Sequence, residues 1–455
     1  MTPGAWKPSI ILPMSLQLDR EQQYRRMRET ASDLFQQALR ESSIEKAFAK
    51  KIDCDRGVLR VCDDLYDLHS YTRVFVVSIG KAGQTMVRAL ESKIGSNMEG
   101  IVVCPEQFQP QVHGFRYFLG GHPTPNHESI RAAESILKSL AAQNASSLIV
   151  YLLSGGGSSM VEKPVDDEIS LDDIVQTYRT LVHSSAPIAD INAIRKHLSA
   201  VKGGRMAQAA YPARQVSILV SDVPDNTPDA LASGPTMPDS TTVEDCQRIA
   251  AEHSLLETLP KSVSDLFERH ALEETPKSDD PAFVYSRWWP VLSNRVAVEE
   301  AGVAATSHGF AVEVNNSCDD WDYGRAADYL LDRLRELRKS VSKVCLISGG
   351  EVTVHVENGG TGGRNQQFAL ACAPKIKGED ITVLSAGTDG IDGNSPAAGA
   401  IVDGSTIARA EARGLDANAA ARMFNAYPLF HELGDAVITG PTGNNLRDLR
   451  ILLAY

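Results

Sequence analysis

The residues of this chain best suited to chemistry are cations and carboxylates set beside glycine-rich turns. Ser154-Gly155-Gly156-Gly157-Ser158-Ser159 follows the apolar run 148–153. Consecutive glycines cost conformational entropy and contribute no packing. A bare backbone flanked by hydroxyls therefore suits phosphate or carboxylate oxygens; the competing explanation is a crowded chain crossing. Gly80-Lys81-Ala82-Gly83 leaves a second apolar run, 74–79, and opens a helical segment. Free N–H groups at such a turn, with the Lys81 charge beside them, can receive an anion. Phe75 and Ala82 stand where a Walker A loop needs glycine and Ser or Thr, and the turn is not G-x-G-x-x-G either. Taken alone it is a weak signal and reads better as a structural strand–helix turn. A third candidate runs from Asn192 through Arg195, Lys196 and His197 to Lys202-Gly203-Gly204-Arg205 and concentrates cations in an acidic protein. Asn192, Arg195 and Lys196 are its candidates for holding an anion, against the alternative of a solvated basic face. His197 has no zinc-ligand spacing around it and reads as a packing residue.

Two carboxylates stand where apolar runs end. Ser221-Asp222 follows 216–220, and Thr388-Asp389-Gly390, with Asp392 behind it, follows 381–385. Asp222 or Asp389 could bind magnesium, which favours carboxylates together with water and substrate phosphates. Each could instead accept a proton, cap a helix or close an Asx turn. The loop 359–363 is nearly all glycine and delivers Arg364. A guanidinium there can grip phosphate in two-point fashion and neutralise charge in a transition state, or simply be solvated on a mobile turn.

These residues need a scaffold, and the same apolar runs provide it. Runs 74–79, 148–153, 216–220, 344–347 and 381–385 each end abruptly in Gly, Ser or Asp. Strands this apolar are covered on both faces, which points to an α/β fold built on a mainly parallel sheet. Ligands in such folds sit beyond the carboxyl ends of the strands, where the special residues cluster. A helix is expected over about 20–50. The polar, proline-flanked stretch 272–285 reads as a linker, giving domains at 20–275 and 282–455. The 455-residue chain carries a net charge of −13, which argues against nucleic acid or a membrane surface as partner. Its seven cysteines form no C-x-x-C pair and read as free thiols in a reducing compartment. No apolar run approaches the length of a membrane span. The run 10–14 is too short for a signal peptide, so residues 1–13 read as an extension ahead of Met14 and the protein as cytoplasmic.

Taken in order, these motifs resemble those of the glycerate 2-kinases with a carboxy-terminal MOFRL domain. The resemblance runs from about residue 20 to the end. It rests on Gly80-Lys81-Ala82, Gly121-His122-Pro123-Thr124-Pro125, Ser154 through Ser158, Asn192 through Arg205, Ser221-Asp222-Val223 and Ala232-Ser233-Gly234-Pro235-Thr236. It continues through Gly349-Gly350-Glu351-Val352-Thr353, Gly362-Gly363-Arg364-Asn365-Gln366, Ala386 through Gly390 and Thr439-Gly440-Pro441-Thr442-Gly443. It implies a larger Rossmann-like N-terminal domain, a smaller α/β C-terminal domain and an active site in the cleft between them. It also implies ATP and Mg²⁺, D-glycerate as the small-molecule substrate and 2-phosphoglycerate as product, with a homodimer left open. Lys81 and Arg364 match the family's leading catalytic candidates. Asp225-Asn226 stands where the family commonly has Gly-Asp, and Gly324-Arg325-Ala326 where it often has Gly-Glu-Ala, so those contacts do not carry over. The rival expectations are an NAD(P)H-dependent hydroxypyruvate reductase, which the lack of a dinucleotide fingerprint disfavours, and a non-catalytic sensor of nucleotide or sugar acid.

Overall fold

The β-branched runs become strands in a computed structural model, which describes residues 14–106, 110–356 and 359–455. The extension 1–13 lies outside the described residues. The chain forms two units. Residues 42–296 with 443–446 make the first; residues 297–442 and 447–455, joined by the opening helix, make the second.

The first unit begins with a small antiparallel sheet of β1 (Ile52–Asp55), β2 (Val58–Val61) and β3 (Asp64–Asp67). Its main sheet uses β4 (Arg73–Ile79), β5 (Glu99–Cys104), β6 (Phe115–Leu119), β7 (Ser147–Ser154), β8 (Arg214–Val220) and β9 (Ser286–Leu292). The order is β6-β5-β4-β7-β8-β9, and every pairing is parallel. After β4 the chain winds outward one way through β5 and β6, then returns to lay β7 on the other side of β4. The reversal opens a crevice at the carboxyl ends of β4 and β7, where doubly wound sheets bind ligands. All eight residues of β7 are buried, as expected of a central strand covered on both faces.

The second unit holds β10 (Ala311–Val314), β11 (Val344–Gly349), β12 (Ile381–Gly387), β13 (Gly399–Asp403), β14 (Ala436–Val437) and β15 (Asp448–Ala454). They lie in the order β10-β11-β15-β12-β13-β14. Only β10 and β11 pair in parallel; β15 runs antiparallel to both β11 and β12. The expectation of a mainly parallel sheet holds in the first unit and fails in the second. Here too both faces are covered. Cys345, Ile347, Leu384 and Ile451 face one apolar cluster, while Val344, Leu346, Val383 and Leu452 face another. Double coverage makes a strand apolar throughout whatever its neighbour's direction, so the pattern carried no information on direction.

Two boundaries differ from the sequence expectation. The helix Met14–Glu41 belongs with the C-terminal sequence: Tyr24, Met27, Leu34 and Phe35 pack with Cys345, Leu384 and Ile451, and Arg28 pairs with Asp403. The stretch 272–285 is not the break between units. Thr275 is buried and donates to Asp239 Oδ2 at 2.9 Å, and β9 follows as an edge strand of the first sheet. Its polarity serves buried hydrogen bonds, which composition cannot tell from solvation. No described helix is long and apolar enough to cross a membrane.

Candidate active site

At the carboxyl ends of β4 and β7 two turns lock together. Gly80 has φ +119°, and a Cβ there would lie 2.3 Å from Ser154 Oγ and 2.4 Å from the Ser154 carbonyl oxygen. The Lys81 N–H donates to the Gly155 carbonyl at 2.9 Å, and the Ala82 N–H to Ser154 Oγ at 3.1 Å. Ser154 Oγ in turn donates to the Ile79 carbonyl at 3.3 Å. Ser154 is 2% exposed, so its hydroxyl ties the turns together.

The glycines beyond it are each crowded by a different neighbour. A Cβ on Gly155 would meet Asp222 Oδ2 at 2.0 Å, one on Gly156 would stand 3.2 Å from His122 Nδ1, and one on Gly157 would stand 2.9 Å from Ala232 Cβ. Ser158 Oγ lies 2.8 Å from Ser233 Oγ. Lys81 is exposed and makes no ion pair or side-chain hydrogen bond among the described residues. Lys81, the loop 154–158 and Asp222 therefore share one sheet end.

Beside this loop is a cavity of about 370 Å³, lined among others by His122, Ser158, Ser159, Tyr178 and Arg195. The Arg195 guanidinium stacks on the Tyr178 ring, 4.6 Å from its centroid, and its buried Nε has no hydrogen-bond partner among the described residues. Below lies Glu162, fully buried, which accepts hydrogen bonds from Lys202, Tyr178 and, at 2.6 Å, Ser199 Oγ. Burial, then Glu162, pushes the Tyr178 hydroxyl's pKa well above its ordinary value, so it stays neutral. Arg195 and Lys202 thus face a single carboxylate, Glu162, leaving one positive charge in excess. Burial opposes the charge on Arg195 and lowers its pKa, but a guanidinium is not deprotonated in proteins.

Lys196, on the same helix (Ile188–His197), is placed differently from the expectation. It is 3% exposed, and its ammonium binds Asp229 Oδ2 at 2.8 Å and Asp239 Oδ1 at 3.1 Å. Its charge is answered inside the fold. Asn192 is half-buried on that helix. His197 is fully buried with Nδ1 2.9 Å from the Ala193 carbonyl, in keeping with a packing role.

Arg364 lies in the second unit and opens the helix Arg364–Cys372. Its Nε and Nη2 fork onto Asp448 at 2.6 and 3.1 Å, and Nη2 also reaches Glu351 at 2.8 Å. Burial works against its charge, but these carboxylates outweigh it and hold its pKa above the ordinary value. Arg364 lines a cavity of about 530 Å³ with Glu351, Gly360, Gly363, Gln367 and Asp392. Asp392 accepts the N–H groups of Asn365 at 3.0 Å and Gln366 at 2.9 Å, capping that helix. Its carboxyl is pushed up to about 6 by burial, against those hydrogen bonds. Asp389 accepts the Ile391 N–H at 3.1 Å, the Asx-turn fate open to it. No group of three or more His, Cys, Asp or Glu among the described residues is arranged to hold a metal ion.

The sequence reading missed Tyr178, Glu162 and the placement of His122 at this cavity. Only His122 had a signal, the Gly-His-Pro-Thr-Pro motif. Tyr178 and Glu162 sit in unremarkable helical and loop sequence and meet Arg195 only through the fold.

Glycine turns at a sheet reversal, with an unpaired lysine and a stacked arginine beside them, define an α/β enzyme that handles anions. Comparison with known proteins is in accord. The MOFRL family matches residues 344–448, and a domain of unknown function, DUF4147, matches residues 30–268. D-glycerate 2-kinase of Thermotoga maritima is 35% identical over 387 residues, 83% of this chain and 90% of the relative. A relative from Agrobacterium vitis, 34% identical over 84% of this chain and 87% of its own length, bears the provisional name hydroxypyruvate reductase. The crystal structure of glycerate kinase from Thermotoga maritima superposes with a TM-score of 0.82 at 31% identity, covering 95% of this chain and all of the other. The chain belongs to the glycerate 2-kinase family with a carboxy-terminal MOFRL region.

Proposed function

We propose that this protein transfers the γ-phosphoryl group of MgATP to the 2-hydroxyl of D-glycerate, giving 2-phosphoglycerate. The observation that carries the reading is the unneutralised Arg195, stacked on Tyr178 at the wall of a cavity that also meets the glycine turn. A small hydroxy acid needs one fixed cation for its carboxylate and room beside it for a phosphoryl donor. Arg195 takes the carboxylate. The backbone of 155–157 and Lys81 take phosphate oxygens, because a bare turn and a point charge suit them.

Magnesium on a triphosphate requires one or two carboxylates, the phosphates supplying the rest. Asp222 is the candidate placed for that need, because its carboxylate lies against Gly155 on the glycine turn. The metal would supply charge neutralisation across the phosphates. Arg364 enters on the family resemblance alone, as the second of the family's leading catalytic candidates; Asp448 and Glu351 hold its Nε and Nη2. Phosphoryl transfer depends on alignment and charge stabilisation, which is what these groups provide.

The test is the purified protein with MgATP and D-glycerate, the product identified by phosphorus and proton NMR. A phosphate on the 3-hydroxyl, or no product, overturns the reading. NADH consumption with hydroxypyruvate, in place of phosphorylation, would establish the reductase instead.

A further inference from the structure

We propose that His122 is the general base that takes the proton from the substrate's 2-hydroxyl. The inference rests on the proposed glycerate phosphorylation and adds a group to it. His122 lies in the turn between β6 and the helix His127–Leu140, and it lines the same cavity as Arg195. Its Nδ1 is 3.2 Å from Ser159 Oγ, and that hydroxyl also lies 3.3 Å from the Gly156 carbonyl. A carbonyl oxygen only accepts, so the serine proton goes to Gly156 and Nδ1 carries the hydrogen donated to Ser159. The tautomer is thereby set. Nε2, which makes no hydrogen bond among the described residues, keeps its lone pair. Gly156, on the phosphate-holding turn, approaches the same imidazole so closely that a Cβ there would stand 3.2 Å from Nδ1. The base, the carboxylate anchor and the phosphate turn thus border one cavity.

The imidazole is also in the right state. Burial and then the Lys81 charge lower its pKa below the ordinary 6.5, so it is neutral at physiological pH. Arg195, from the helix Ile188–His197, and Tyr178, Arg179 and His183, from the helix Leu171–His183, line the cavity as well. In the transfer the hydroxyl proton passes to Nε2 and the oxygen bonds to the γ-phosphorus. The bond from that phosphorus to the β,γ-bridging oxygen breaks, and the nucleoside diphosphate leaves with the electron pair. The imidazolium returns its proton to water.

The test compares wild type with His122→Asn, whose amide nitrogen can keep the hydrogen bond to Ser159 while nothing replaces Nε2. Initial rates with MgATP and D-glycerate are followed across pH, with circular dichroism as the check on folding. Wild type should show activity rising with pH through a group below 6.5. H122N should lose about 100-fold in kcat, the lower end of general-base contributions, with KM for glycerate little changed and the acid limb abolished. Imidazole added to H122N should restore part of kcat. A loss below about tenfold, or an acid limb retained in H122N, overturns the inference. If H122N is misfolded, His122→Gln replaces it under the same criteria. Wild type failing to phosphorylate glycerate would overturn the underlying activity, an outcome separate from either.

Discussion

Replacing Arg195 by methionine removes the stacked one of the cavity's two guanidinium charges while keeping an unbranched stem against Tyr178. The residual cluster is then Lys202 with Glu162, a neutral pair, so the variant folds. A unit charge pair at about 4 Å is worth roughly 4 kcal/mol at an effective dielectric constant of about 20. Desolvating both partners takes back part of this, and hydrogen bonds to charged groups measure about 1.5–3 kcal/mol net. At 1.4 kcal/mol per decade that is roughly a 10- to 150-fold loss in kcat/KM for glycerate. The assay pairs D-glycerate with glyceramide, which keeps the hydroxyls and lacks the carboxylate charge. Wild type should favour glycerate by about that factor, and R195M should show little preference. R195K should recover only part, because an ammonium neither forks onto a carboxylate nor stacks on Tyr178 as a guanidinium does. Unaltered preference for glycerate in folded R195M would refute the carboxylate assignment.

Lys81→Ala should lower kcat/KM by about 100-fold or more, the usual cost of losing one charge-stabilising contact, with unfolding by urea unchanged; near-full activity in the folded variant would remove Lys81 from the site. Gly80→Ala forces a Cβ against the Ser154 carbonyl at φ +119° and should cost about 1–3 kcal/mol from backbone strain alone; urea midpoints equal to wild type would show that the two turns separate freely. Asp392 has a folded pKa of about 6 against 3.8 for the free group. Folding therefore favours its protonated form: the stabilisation is complete below 3.8 and lost as pH rises through about 6. Relative to Asp392→Asn, wild-type stability should fall by up to about 3 kcal/mol over that interval, and parallel pH profiles for the two proteins would refute it.

Much of the first unit was legible in the sequence because each of β4, β7 and β8 ends at a chemically distinctive turn. The apolar run gave the strand and the glycines gave its end, so Lys81, the loop 154–158 and Asp222 were placed on one edge by the logic of a parallel sheet alone. Direction in the second sheet was illegible for a physical reason. β11 and β12 are separated by β15 from the end of the chain, and burial on both faces erases the alternation that would mark their surroundings. The helix Met14–Glu41 displayed its apolar stripe plainly, yet a stripe says only that something covers it; the partners lie some 300 residues onward, as at Leu384. The cations show the same limit. Arg195 and Lys196 are adjacent in sequence and equal in charge, and helix rotation sends one to the cavity and the other to Asp229 and Asp239.

That divergence explains how a chain of net charge −13 can build a site for anions. A global field would repel a triphosphate and a carboxylate alike, so attraction has to be local, and it arises from which cations are left without a carboxylate. Lys196 has two, Lys202 has Glu162, and Arg447 has Asp319 at 2.7 Å. Arg364 has Asp448 and Glu351. Lys81 and Arg195 have no carboxylate within 4 Å among the described residues, and they belong to elements that meet at the reversal of the first sheet. Burying a cation costs solvation, of which a partner carboxylate returns a part; Arg195, half-buried without one, gains that part when an anion arrives. On the proposed assignment, the stacked guanidinium of Arg195, in a cavity of about 370 Å³ that Arg179 also lines, would take the single carboxylate of a small hydroxy acid.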